Sequence, residues 1–236
     1  MTASLPGELI EVFERSVTAE YVTIDGHGQP VAWPVAPTYH AAKGCIDVAR
    51  EASQAADSSA NPHVALLYCD PAGLDAAPMV LVQGTAQVDP QTIHVRPERI
   101  YVWPSADLDS EPQLYDAHVE EVRSAHNEEP EVGHAAPEGG RIEWDERLDA
   151  LADGVLAFVG PDGFPFAVRV PVRADGVAGV LRIGADPDGA PIEPGLACLC
   201  AHDGRFHALG DLEEEHGGWV LRPHRVAARP KRTVAG

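Results

Sequence analysis

An eight-residue pattern occurs twice in this chain: Gly28-Gln29-Pro30-Val31-Ala32-Trp33-Pro34-Val35 aligns without a gap with Gly163-Phe164-Pro165-Phe166-Ala167-Val168-Arg169-Val170. Further on, Gly84 followed by Arg96-Pro97-Glu98-Arg99-Ile100 is matched by Gly210 followed by Arg222-Pro223-His224-Arg225-Val226, at the same separation. Between these blocks, Pro62-His63-Val64-Ala65-Leu66-Leu67 aligns with Pro194-Gly195-Leu196-Ala197-Cys198-Leu199. Three blocks in one order favour a tandem duplication over chance, because repeated units keep their order while turns change length. Two cores are therefore expected in 236 residues, since domains mostly run to about 100–150 residues.

The pattern of each copy is that of short strands. Glu8 to Val17 places Leu9, Ile10, Phe13 and Val17 on one helical face. Tyr21 to Ile24 and Val31 to Val35 then read as a hairpin around Gly26-His27-Gly28, followed by a strand at Cys45 to Val48. A short helix is expected at Ser53 to Ala60, then strands at His63 to Cys69, Met79 to Val88 and Ile93 to Trp103. The second copy repeats this, with helical turns at Trp144 to Ala152 and strands at Val155 to Val159, Phe164 to Val172, Val180 to Ile183, Leu196 to His202, Phe206 to Leu212 and Trp219 to Val226. Where the first copy has its second helix, the other has only the turn-like Gly184 to Ala190. Evenly spaced short strands leave exposed edges unless the sheet curls shut, so a small closed sheet is expected in each copy. The expected organisation is a first module over 1–106, an acidic Pro- and Glu-rich linker over 107–142, a second, degenerate module over 143–228, and a basic tail over 229–236.

A formal charge of −20 repels phosphate backbones and anionic lipid, which argues against nucleic-acid and membrane partners. The exception is the stretch Arg222 to Arg232, where Arg222, Arg225, Arg229, Lys231 and Arg232 are concentrated. Apolar runs such as Val64 to Tyr68 are too short to span a bilayer as a helix. The opening residues lack the basic and apolar regions of a secretion signal, so a cytoplasmic location is expected. Cys45, Cys69, Cys198 and Cys200 fall in apolar strand-like runs without Cys-x-x-Cys spacing, and read as small buried hydrophobes in a reducing compartment.

Within the linker, Leu114 to Arg123 suggests one or two helical turns, and His118, Glu121 and His126 raise a metal reading. Their spacing lacks the two-histidine pattern of a catalytic zinc helix, and no metal site is assigned. No Ser-His-Asp elbow, phosphate loop or paired-carboxylate motif is present either, so side chains alone announce no catalysis.

The Gly28-x-Pro30 hairpin, Asn61-Pro62-His63-Val64-Ala65-Leu66 opening a strand, and Val82-Gln83-Gly84-Thr85-Ala86-Gln87-Val88 resemble the pyridoxamine 5'-phosphate oxidase-like family of FMN-binding split β-barrels, particularly its two-barrel actinobacterial members. The resemblance implies two tandem split β-barrel modules, mainly β with a few short helices, paired as an intrachain pseudo-dimer with a cofactor groove between them. It further implies a flavin or deazaflavin, or in some members haem, and places cofactor contacts at Trp33, Arg50, Ser53, Gln54 and Gln83. Family members carry Arg-Lys before the Asn-Pro strand, where this chain has Ser53-Gln54. Charge-assisted hydrogen bonds to a phosphate contribute about 1.5–3 kcal/mol each, so their loss weakens the expected FMN grip. Related chains also carry a longer segment where Asp89-Pro90-Gln91-Thr92 makes a tight turn.

Two classes of function follow. One is an oxidoreductase that exchanges hydride between a flavin-like cofactor and a small organic molecule, the redox chemistry belonging to the cofactor. The other is a cofactor-free binding module whose groove has lost its anion grip. A haem-binding variant would need His63 or His207 to face the groove. The partner in each case is a small molecule, and further homodimerisation is left open.

Overall fold

The computed structural model describes residues 6–69, 78–104, 111–117, 143–184, 190–201 and 206–228. The chain runs α1 (Gly7–Arg15), β1 (Ala19–Ile24), β2 (Pro30–Val35), β3 (Thr38–His40), β4 (Cys45–Ala49), α2 (Ala52–Ala60), β5 (His63–Tyr68), β6 (Met79–Val88), β7 (Thr92–Trp103) and β8 (Gln113–Asp116). After a 3₁₀ turn at Glu146–Ala150 come β9 (Asp153–Val159), β10 (Pro165–Asp175), β11 (Val180–Ile183), β12 (Gly195–Ala201), β13 (Phe206–Glu215) and β14 (Gly218–Ala228). It is a mainly β protein of two like-ordered sheets. The first has the order β2-β1-β5-β6-β7-β4-β3, with β8 also on β7; the second is a closed barrel, β10-β11-β14-β13-β12-β9.

The order of strands is the same in both halves. The turns agree as well: Gly28 and Gly163 both sit at φ 80°, and Gly44 and Gly179 at φ 61° and 70°. Such left-handed backbone favours glycine, which has no Cβ to clash. Both long hairpins also carry a register shift at the matched glycine, between Gln83 and Gly84 and between Leu209 and Gly210.

The halves differ in closure. In the second, β10 is continuous and pairs β9 through Pro165–Pro171 and β11 through Val172–Asp175. In the first, the matching stretch breaks into β2, which pairs β1, and β3, which pairs β4. The Val172 N–H donates to the Ala152 carbonyl at 2.9 Å, whereas the matching residue, Pro37, has no N–H to give. Two closed sheets were expected; among the described residues only the second closes by hydrogen bonding.

The apolar run of β5 is explained by burial on both faces. Val64, Leu66 and Tyr68 point into the first half's core, while Ala65 and Leu67 join a cluster built mainly from the second half. Val80 and Val82 on β6 likewise face inward and Met79 and Leu81 outward to the other half. The halves thus share a packed seam, the pseudo-dimer that the family resemblance implied.

Three local expectations change. The opening helix ends at Arg15, and Val17 is exposed rather than on its apolar face. Leu114–Asp116 is strand, not helix, because Ile100 and Tyr101 of β7 offer Tyr115 and Leu114 cross-strand partners. Cys198 and Cys200 are buried, but Cys45 and Cys69 are only half-buried. His118, Glu121 and His126, most of the second copy's turn at 185–189, and the tail at 229–236 lie outside the described residues. No helix among the described residues is long and apolar enough to cross a membrane.

Candidate functional site

Helix α2 is docked on β1 by side-chain hydrogen bonds. The Trp33 indole N–H donates to the Thr23 hydroxyl at 3.1 Å, and that hydroxyl donates to the Asp57 carboxylate at 3.0 Å. The direction is set because an indole N–H only donates, which leaves the hydroxyl proton for Asp57. At the adjacent helix position, the Tyr21 and Ser58 hydroxyls meet at 2.7 Å. Burial raises the Tyr21 phenol well above its ordinary value. Burial also raises the Asp57 carboxyl, with the Thr23 bond opposing and Asp25 adding to the rise.

Gln54 lies on the same helix face as Asp57 and Ser58 and is 3% exposed. Its amide oxygen has no hydrogen-bond partner among the described residues. Arg50 and Ser53 are exposed at the start of α2, and Glu51 occupies the N-cap without a side-chain capping bond. A carboxylate at a helix N-terminus competes with any anion placed there, so the start of α2 offers an anion little.

Trp33, half-buried on the edge strand of the open sheet, also reaches the second half. Its ring lies edge-on to the buried His207 ring, with centroids 6.3 Å apart and planes at 79°. Gln83, by contrast, belongs to the packed seam. Its amide N–H donates to the Pro165 carbonyl at 3.0 Å, and its oxygen lacks a partner among the described residues. The structure therefore groups Trp33 and Gln54 around α2, leaves Arg50 and Ser53 at its rim, and separates Gln83 onto the face toward β10.

The seam is stitched at matched positions. Gln29, which precedes the hairpin proline of the first half, donates its amide N–H to the Ala197 carbonyl of β12 at 2.9 Å. Its counterpart Phe164 stacks on His63 at the start of β5, centroids 4.1 Å apart. Arg99 covers the Phe164 ring at 4.6 Å and pairs with Asp162. One face of the His63 ring is thus taken by Phe164. Sequence reading missed Thr23, Asp57 and Ser58; their only signal was alternation with Tyr21 on one strand and i,i+4 placement on α2 beside Gln54.

No protein-family model and no curated protein matches the chain. Solved structures do. General Stress Protein 26 from Bacillus anthracis str. Sterne is 15% identical with a TM-score of 0.38, over 46% of this chain and 95% of that one. A protein related to general stress protein 26, of the pyridoxinephosphate oxidase family, from Clostridium acetobutylicum is 12% identical with a TM-score of 0.37, over 46% and 92%. The chain resembles the pyridoxamine 5'-phosphate oxidase-like split barrels. A heme binding protein from Mycobacterium smegmatis is also similar, at 12% identity and a TM-score of 0.39, over 72% of this chain and 90% of that one.

Proposed function

We propose that this split barrel binds a planar conjugated small molecule of the flavin or deazaflavin class beside Trp33, where the two halves meet, and moves hydride between it and a small organic substrate. The observation that carries this reading is the anchoring of Trp33. Its N–H is tied through Thr23 to Asp57, and its edge rests on His207 of the other half, giving a fixed aromatic wall at the open sheet edge. A held indole stacks on a planar ring at little entropic cost. Gln54, on the α2 side with Trp33, keeps a buried amide oxygen without a partner among the described residues, an acceptor suited to a ring N–H. The matched strand orders support descent of both halves from one duplicated module.

With Arg50 and Ser53 exposed and Glu51 at the helix start, a ligand phosphate gains little. Riboflavin and FMN are therefore expected to bind within about tenfold of each other. The same observation favours a second reading, a cofactor-free module holding a neutral metabolite. Incubation of the purified protein with FMN, a deazaflavin and haem, followed by gel filtration and an absorption spectrum, separates the readings. A retained flavin or deazaflavin spectrum that is lost in Trp33→Ala supports the first. A retained haem spectrum alone moves the assignment to haem, and a blank spectrum sinks the cofactor reading. Ser53 is the position at which to restore the family's arginine, because Gln54 is buried and a cation there would lose its hydration.

A further inference from the structure

On the outer face of the first sheet, well outside the elements that hold Trp33, three side chains of metal-ligating type converge. Cys45 and Asp47 alternate along β4, and His94 is the direct cross-strand partner of Asp47 on β7. The Cys45 sulfur, an Asp47 oxygen and a His94 ring nitrogen all lie within 4.8 Å of one another. Ile46 and Val48 take the opposite face of β4 into the core, so alternation alone turns the three donors outward together.

We propose that Cys45, Asp47 and His94 form a binding site for a borderline-soft divalent transition metal, zinc being the reference case, with water in the fourth position. Thiolate, imidazole and carboxylate are the donor set such ions select, whereas calcium and magnesium ask for oxygen alone. Metal–ligand bonds of about 2.0–2.3 Å put tetrahedral donors about 3.3–3.7 Å apart. The Cys45 sulfur already stands 3.7 Å from Asp47 Oδ1, and His94 Nδ1, at 2.6 Å from the same oxygen, has to open its hydrogen bond to reach that spacing.

The groups behind the donors match the same purpose. His94 meets Asp47 through Nδ1 at 2.6 Å, while its Nε2 faces the Asp89 carboxylate at 3.2 Å. Asp89 is thereby placed as the carboxylate that orients a metal-bound histidine from its far nitrogen. The second Asp47 oxygen is held by His40 Nε2 at 2.9 Å.

The second half shows the same corner without these donors. Its register pairs Asp175 with Val180 and Arg182 with Val220, where the first half pairs His40 with Cys45 and Asp47 with His94. There a single ion pair, Arg182 with Asp175 at 3.1 Å, occupies the corner. The sheet therefore has no structural need of a cysteine and two histidines at this place.

The test is a cobalt(II) titration of the chelator-treated full chain, followed by zinc competition. One equivalent is expected to give visible tetrahedral bands and a thiolate-to-cobalt charge-transfer band, both erased by zinc. Cys45→Ser should remove the charge-transfer band, and Asp89→Asn should weaken affinity by about 10- to 100-fold. Cys45→Val with His94→Val, the residues the second half tolerates in this register, provides a folded, non-binding control checked by circular dichroism. Absence of stoichiometric binding, or binding that survives unchanged in the Cys45→Val/His94→Val protein, overturns the site.

Discussion

Gly84 and Gly210 occupy equivalent bulges, and each faces the backbone carbonyl of an arginine that precedes a proline, Arg96 and Arg222 respectively. A Cβ on either glycine would collide with that carbonyl rather than with a movable side chain. This contact is the physical content of the repeated Gly-to-Arg spacing. Each long hairpin bends where its strands come too close for any side chain, and the bend curls the sheet.

Gly84→Ala or Gly210→Ala is therefore expected to destabilise by about 1–3 kcal/mol, read as a lower urea midpoint. Gly195→Ala, where an added Cβ meets nothing within 4 Å, should stay within about 0.5 kcal/mol. Equal midpoints for Gly84→Ala and Gly195→Ala would contradict the close approach.

Thr23→Val removes one hydroxyl but leaves two partners without their bond, the Trp33 indole N–H and the Asp57 carboxylate. Thr23 is fully buried, so the expected cost is about 1–3 kcal/mol. Ligand affinity should fall together with stability, because Trp33 is no longer held. A variant as stable as the parent would show that the chain of bonds contributes nothing.

Asp57 makes stability depend on pH in a definite direction. Its folded carboxyl is raised, chiefly by burial, so the folded state holds the proton more tightly than the unfolded chain. That contribution is fully present below the ordinary carboxylate value of about 3.9 and is lost as pH rises through the raised folded value. Asp57→Asn keeps the shape without the charge. Thermal melts from mildly acidic to neutral pH should show the parent losing more stability than the variant, and parallel curves would remove Asp57 as the cause.

Phe164→Ala takes away the ring that stacks on His63 and lies beneath Arg99. Large-to-small changes at buried aromatics cost about 3–5 kcal/mol, and here the loss falls on the seam. Arg99→Gln, which removes a partly exposed cation from the same cluster, should cost about 1 kcal/mol or less. Differential scanning calorimetry that ranks Arg99→Gln above Phe164→Ala in damage would invert this account.

Much of the architecture was legible in the chain itself, since it resides in local rules. Strand alternation, turn glycines at Gly28 and Gly163, and the doubled Gly-to-Arg-Pro spacing depend on backbone sterics a few residues long, and they determined two like-ordered β halves. The unbroken apolar run from Val64 to Tyr68 read as a strand, while its burial on both faces emerged only with the second half packed against it.

What the tertiary structure alone decided is which distant residues meet. Trp33 could be named as a cofactor contact from the family resemblance, but its anchor through Thr23 to Asp57 depends on where α2 lands on β1. Gln83 was grouped with Gln54 by resemblance, yet pleating turned it to the other half, since neighbouring strand positions face opposite ways. Cys45, Asp47 and His94 gave no signal in order along the chain. Two lie on one strand and the third far off on another, and only the register of β4 against β7 makes them neighbours. Local sterics are written residue by residue, whereas pairing across strands is a property of the folded sheet, and chemistry that needs several donors at one point waits on it.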